Sequence, residues 1–287
     1  MLNTLKQKWL AIKLITRMDK PIGTYLLMWP TYWALWVASD GWPNFYLLIV
    51  FSLGVFVMRS AGCVINDIAD MKVDGKVERT KNRPLISGLI SKEEAISLFG
   101  VLLGIALGLV LTLSWQTIYL SIVALLLAAS YPFMKRYTQL PQVVLGAAFS
   151  WGMIMAFSEA QGEIPSVAWL LFAANLIWTV AYDTMYAMVD RDDDVKIGVK
   201  STAILFGEHD KRFIGFMQLL VLGLLFTVGD ILAFGWPYQL SLVISAGLFT
   251  YQQILISNRE RSKCFQAFLH NHWVGMVVFI GIFVEYL

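Results

Sequence analysis

Two acidic stretches decide how this chain is read: Asn66-Asp67-Ile68-Ala69-Asp70-Met71-Lys72-Val73-Asp74 and Asp183-Thr184-Met185-Tyr186-Ala187-Met188-Val189-Asp190-Arg191-Asp192-Asp193-Asp194. Each stands at the end of a long apolar segment. At about 100° per residue in a helix, Asp70, Asp74 and Asp67 all fall within about 100° of Asn66. By the same rule Asp183 and Asp194 fall within about 40° of Asp190, while Asp192 and Asp193 point away. Each stretch, if helical, therefore stacks carboxylates on one face over two turns. Like charges at i,i+4 repel, so something positive must offset them. Oxygen ligands in that array suit a hard divalent cation. A single acidic run is ordinarily a solvated face; two, each following an apolar helix, are harder to explain that way.

The apolar segments set the fold class. The 287 residues are 58% hydrophobic and only 15% charged, above the usual 45–50% or so of soluble domains. Stretches of spanning length occur roughly at 21–39, 44–64, 94–113, 116–133, 141–157, 165–185, 212–234, 236–256 and 267–287. The expectation is an all-α membrane protein, one domain over 1–287, with about nine transmembrane helices in a bundle. With nine spans and the N-terminus inside, all 22 Lys and Arg fall on the cytoplasmic face, as positive-inside topology requires. The opposite loops hold only Asp40, Glu159, Glu163 and Asp230. Many tryptophans (Trp29, Trp42, Trp115, Trp169, Trp236, Trp273) sit near segment ends, as in an interfacial belt. Residues 2–15 alternate Leu2, Leu5, Trp9, Leu10 and Ile12 with Lys6, Lys8 and Lys13, so 1–20 reads as an amphipathic segment on the cytoplasmic leaflet. No signal peptide is read at the start. Cys63 and Cys264 cannot build a disulfide framework and read as small apolar core residues. His209, His270 and His272 lack ligand spacing, and no Gly-rich phosphate loop is present.

Basic residues flank both acidic stretches: Lys72, Lys76, Arg79, Lys81 and Arg83 after the first, Arg191, Lys196 and Lys200 around the second, and Lys135 and Arg136 between predicted helices 4 and 5. Carboxylates for a metal, mixed with cations for the remaining oxygens, are equipment for a diphosphate. Taken singly, each cation is also explained by topology.

The Asn-Asp-x-x-Asp-x-x-x-Asp of 66–74, the following Arg79-Thr80-Lys81-Asn82-Arg83-Pro84 and the Asp190-x-x-x-Asp194 resemble the intramembrane aromatic prenyltransferases of the UbiA superfamily. The likeness extends to Asp19-Lys20-Pro21-Ile22-Gly23, Trp29-Pro30-Thr31, Tyr131-Pro132-Phe133-Met134-Lys135-Arg136-Tyr137-Thr138 and Tyr182-Asp183-Thr184. The run 189–198 with Lys200-Ser201-Thr202 is similar to the branch acting on 4-hydroxybenzoate. The resemblance implies a bacterial inner-membrane enzyme with a cavity open to the cytoplasm and laterally to lipid. It implies Mg²⁺ on Asn66, Asp67, Asp70 and Asp74 and on Asp190 and Asp194, binding polyprenyl diphosphate. It places Arg136 on the carboxylate of the aromatic acid. The reaction implied is transfer of the polyprenyl group to the ring carbon ortho to the hydroxyl, an early step of ubiquinone biosynthesis. Tyr25, Tyr182 and Tyr186 are candidates to lend π-density to the allylic cation, and Asp190 to take the ring proton. No nucleic acid and no obligate protein partner are implied. Alternatives are a sibling enzyme with a naphthoate, homogentisate or haem acceptor, a transporter, and a non-catalytic scaffold. The transporter is disfavoured because the acids cluster at one face and no acid is read mid-span.

Overall fold

The computed structural model describes residues 2–75 and 80–287; for 2–5, 72–74 and 197 it describes the backbone alone. Among the described residues there is no strand. The helices are α1 (Leu2–Ile15), α2 (Ile22–Ala38), α3 (Phe45–Asp74), α4 (Lys92–Val110), α5 (Trp115–Tyr137), α6 (Pro141–Gln161), α7 (Ser166–Ile197), the short α8 (Thr202–Phe206), α9 (Asp210–Ile231), α10 (Trp236–Leu255) and α11 (Arg261–Glu285). The nine long helices after α1 correspond one for one to the nine apolar stretches. Seven are long and apolar enough to cross a membrane by length and composition. Of the other two, α2 has 17 residues, and α10 carries Gln239, Gln252 and Gln253.

Local sequence signals punctuate the bundle. Ser91 and Glu94 close a capping box on α4, and Ser114 caps α5 through the Thr117 amide; each oxygen satisfies an orphan donor of the first turn. Pro141 opens α6. Gly162 and Gly198 end α6 and α7 at φ 74° and 72°, a left-handed conformation that glycine adopts without penalty. Glu285, from the last turn of α11, accepts from the Gly235 and Tyr238 amides at 2.9 and 3.0 Å. It thereby places an anion on the positive end of α10.

The main core lies among α2, α6, α7, α9, α10 and α11, centred on Trp33, Trp178, Phe157 and Tyr238. Trp33 stacks on Trp178 at 5.6 Å and donates to the Gly275 carbonyl at 2.9 Å. Trp178 donates to Asn271 at 2.8 Å. A Cβ on Gly275 would stand 2.9 Å from Trp178 and 3.0 Å from Trp29, so glycine is what lets α11 approach. By contrast α4 and α5 turn Val101, Ile105, Tyr119 and Leu126 outward. The N-terminal helix is present as expected, with Ala11 and Ile15 buried against Val64, Ile90 and Ala95 and Trp9 and Leu10 exposed.

Three boundaries differ from the hydropathy reading, for one reason: the helix extends beyond one end of the apolar run. α3 runs on to Asp74 and α7 to Ile197, so both acidic stretches are helical extensions of their spans. α11 begins at Arg261, which puts His270 in its third turn rather than at its start.

Candidate active site

Both acidic ends open onto one cavity of about 1300 Å³. Its polar end is lined by Asn66, Asp67 and Asp70 of α3 and by Asp183, Asp190 and Asp194 of α7. Its bore runs between α3, α4, α5 and α6, past Gly104, Ala124 and Phe149, as far as Leu113. The helical-wheel reading of α7 matches this geometry. Asp183, Asp190 and Asp194 face the cavity, whereas Asp192 and Asp193 pair outside it with Arg261 at 3.0 and 3.1 Å.

The first motif is buried and charge-balanced. Asp67 and Asp70 are 2% and 4% exposed. Asp67 takes Arg17 through both oxygens, at 2.8 and 2.9 Å, and Arg83 at 3.1 Å. The Lys135 ammonium donates to Asp70 Oδ2. Burying such charges is tolerable only with a partner. Asp70 Oδ1, however, is buried and has no hydrogen-bond partner among the described residues. The Tyr182 hydroxyl, also on the cavity wall, has none either. A leftover carboxylate oxygen facing a cavity fits a hard cation, and Asn66, Asp190 and Asp194 stand on the same wall. Among the described residues no three carboxylates, histidines or cysteines gather closely enough to hold an ion by themselves. The candidate donors are thus divided between two helix ends.

The cavity-lining residues of α5 recur at helical spacing. α5 lines the cavity with Ala124, Ala128, Tyr131 and Lys135, a spacing of three and four that forms one face. Arg136 is therefore turned away: it is exposed, donates to the Ala69 carbonyl at 3.0 Å and lies 5.7 Å from the Phe133 ring. Lys196 is likewise two residues off the Asp190–Asp194 face and stands outside, 3.8 Å from Asp193. Tyr182 and Tyr186 line the cavity; Tyr25 does not. Lys76 and Arg79, and the side chains of Lys72 and Asp74, lie outside the described residues.

Three cations on the cavity wall were read from topology alone: Arg17, Lys20 and Arg59. Arg59 lies within the apolar stretch of α3 rather than beyond its end. It sits on the cavity wall, roughly 10 Å before Asn66 along α3 at 1.5 Å per residue. It donates to Cys63 Sγ at 2.7 Å, and its buried Nε has no partner among the described residues. A Cβ on Gly23 would stand 2.7 Å from that Nε, so the Lys20-Pro21-Ile22-Gly23 turn makes room for it. Asp183 lies equally far before Asp190, so an acid does enter the span.

The loop after α7 is tied down by the Lys200-Ser201-Thr202 run. The Lys200 amide donates to the Lys135 carbonyl at 3.1 Å, and Thr202 Oγ1 meets Thr184 Oγ1 at 2.7 Å. Beyond it, fully buried Asp210 accepts from Arg259 at 2.7 Å and Arg191 at 3.3 Å, fixing the end of α7 that carries Asp190.

The UbiA prenyltransferase family model matches residues 27–275. The chain belongs to the UbiA prenyltransferase family. It is accordingly a multi-pass membrane protein. A relative from Colwellia psychrerythraea, named 4-hydroxybenzoate octaprenyltransferase, is 79% identical over the whole of both chains. One of the same name from Pseudoalteromonas translucida is 60% identical over 95% of this chain and 93% of its own. The fold is shared with a UbiA homolog from Aeropyrum pernix at TM-score 0.81 and 24% identity, covering 92% of this chain and 98% of that one. It is shared too with a UbiA homolog from Archaeoglobus fulgidus bound to GPP and Mg²⁺, at TM-score 0.73 and 15% identity over 96% and 99%. The family match begins after α1, so Arg17 lies outside it.

Proposed function

We propose that this UbiA-family chain transfers a polyprenyl group from polyprenyl diphosphate to the carbon ortho to the hydroxyl of 4-hydroxybenzoate, releasing diphosphate, in ubiquinone biosynthesis. One observation carries the reading: a single cavity sets both acidic helix ends and their cations at one end and an apolar bore at the other. That division matches a donor with a charged head and a long apolar tail. The acceptor follows from the names of relatives 57–79% identical along nearly the whole chain. Those names specify an octaprenyl donor, and a long bore suits one.

Asp70, Asp74, Asp190 and Asp194, with Asn66, would hold Mg²⁺. When bound, that ion draws negative charge from the departing diphosphate. Arg83 adds positive charge where the leaving group gains electrons. The apolar bore excludes water from the allylic cation. The ring carbon then attacks, and Asp190 takes the displaced proton. The acceptor carboxylate meets Lys135 on the inward face of α5, with Arg136 behind it at the rim. The basic residues around the mouth support a cytoplasmic orientation in a bacterial inner membrane, with α1 on the adjoining leaflet.

The test is a product assay on membranes containing the protein, with a prenyl diphosphate, Mg²⁺ or excess EDTA, and a panel of aromatic acceptors, read by mass spectrometry. A prenylated hydroxybenzoate formed only with Mg²⁺ supports the whole reading. Product with a naphthoate or homogentisate but not with 4-hydroxybenzoate overturns the acceptor and keeps the chemistry.

A further inference from the structure

The last turns of α7 are held by a group of side chains that the chemistry above does not use. Four of the last eight residues of that helix are aspartates. Like charges on one helix repel, and negative charge opposes the dipole at a helix C-terminus, so the sequence works against a helix here. Apolar packing stops at the same point. Met185, Met188 and Val189 are buried in one cluster with Ile214, Ile256 and Cys264, but none of the described side chains from Asp190 to Lys196 is buried. Polar contacts take over. Arg261 meets Asp192 and Asp193 at the surface, and Arg191 turns inward.

Its target is Asp210, the first residue of α9 and 0% exposed. Arg191 Nη1 donates to Asp210 Oδ2 and to the Gly207 carbonyl, each at 3.3 Å. From the other side Arg259 donates to the same carboxylate through Nε at 3.0 and 3.1 Å and through Nη2 at 2.7 Å. Its Nη2 also reaches the Glu208 carbonyl at 2.7 Å. The backbone of Arg259 is left-handed, at φ 56°, a conformation that a non-glycine residue keeps only where its surroundings enforce it. One buried anion thus joins α7, the α8–α9 link, α9 and the α10–α11 turn. Asp210, Arg191 and Arg259 all stand off the cavity wall, so they act on its contents only through α7. Arg191 is one helical step, about 100°, from Asp190. Fixing the direction of Arg191 therefore fixes that of Asp190 and Asp194, which do line the cavity.

We propose that Asp210 is a positioning residue for the second acidic stretch: by gripping Arg191 and Arg259 it locks the rotation of the end of α7 and holds Asp190 and Asp194 toward the metal. The proposal rests on the metal-site reading above. It brings into the machinery the turn between α10 and α11, which carries neither acidic stretch.

The test follows Mn²⁺ binding to purified protein by electron paramagnetic resonance with inorganic diphosphate present, and backbone hydrogen exchange along α7 in metal-free protein. Turnover is measured alongside as apparent KM for Mg²⁺ and for the acceptor. Asp210→Asn and Arg191→Met are each expected to weaken Mn²⁺ binding and raise the Mg²⁺ KM about tenfold or more. Both should speed exchange in the last turns of α7 about tenfold or more, while exchange at Trp178 stays within about twofold of wild type. Acceptor KM should hold. Saturating Mg²⁺ should recover most of kcat, which loss of folded protein would not allow. Arg191→Lys should restore part of the metal affinity, as a point charge that still reaches Asp210. Arg259→Gly keeps the left-handed turn without strain and should match Asp210→Asn. Wild-type Mn²⁺ affinity in Asp210→Asn and Arg191→Met, whether or not their melting temperatures fall, makes the cluster structural only and overturns the proposal. Unchanged exchange at the end of α7 in both variants overturns it as well. Wild-type protein that binds no Mn²⁺ with diphosphate present overturns the metal-site reading instead.

Discussion

The two acid-bearing helices are built in opposite senses. The body of α7 is core: Leu171, Trp178, Thr184 and Met185 are fully buried, yet its acids Asp190 and Asp194 are half-buried at the cavity. The body of α3 leaves Leu53 and Phe56 exposed, yet its acids Asp67 and Asp70 are sealed beneath Arg17, Arg83 and Lys135. One helix is a strut fixed along its length, with its end held by the Asp210–Arg191–Arg259 cluster. The other is fixed at its end, by ion pairs around the acids themselves. Two stretches that look interchangeable in sequence thus divide the work. α3 brings acids sealed beneath cations of other elements, and α7 brings half-buried acids to the cavity wall.

Removing the carboxylates breaks the comparison most strongly. Asp70→Asn and Asp190→Asn are each expected to lower kcat by about 10²–10³-fold, the scale of losing a preorganised electrostatic contact. Asp70→Asn should also lower thermal stability, because it strands its half-buried partner Lys135. Turnover at saturating Mg²⁺ and a melting curve for each variant check this. Next come the adjacent cations of α5. Lys135→Ala should reduce kcat/KM by about 10–100-fold, from loss of a charged hydrogen bond. Arg136→Ala, turned off the cavity face, should cost much less. Equal effects would return the acceptor carboxylate to Arg136. In the strut, Gly275→Leu forces atoms against Trp178 and Trp29 and should cost about 1–3 kcal/mol of stability. Activity per folded molecule should hold, as melting and turnover of the same sample would show. The smallest effect belongs to Arg261→Ala. It breaks only exposed pairs with Asp192 and Asp193, within about 1 kcal/mol, and kinetics should not change.

Hydropathy alone made the bundle legible, because each span is a predominantly apolar run between breaks such as 111–114 and 232–235. It did not show where the helices end. The polar extensions to Asp74 and Ile197 carry no apolar signal, and only the spacing of their acids hinted that the helix continues. The cavity-facing acids were legible through that spacing, which also set Asp192 and Asp193 aside. The cations were not. Arg17 and Arg59 vanish into a charge pattern that topology already explains. Lys135 and Arg136 were both read as substrate-binding, with Arg136 put on the acceptor carboxylate by resemblance; only the i,i+3/i+4 face through Ala124, Ala128 and Tyr131 separates them, and it carries Lys135. Burial of Asp67 between two guanidiniums joins residues fifty positions apart in one pair and sixteen in the other, a relation no local pattern records.

The central claim is that the two helix ends act as one site on a metal and a diphosphate. Its most direct test is Mn²⁺ binding followed by electron paramagnetic resonance in purified protein, with and without inorganic diphosphate, in wild type, Asp70→Asn and Asp190→Asn. The account predicts Mn²⁺ binding that diphosphate strengthens in wild type and that either substitution abolishes. Diphosphate-dependent Mn²⁺ binding that survives in both variants would contradict it.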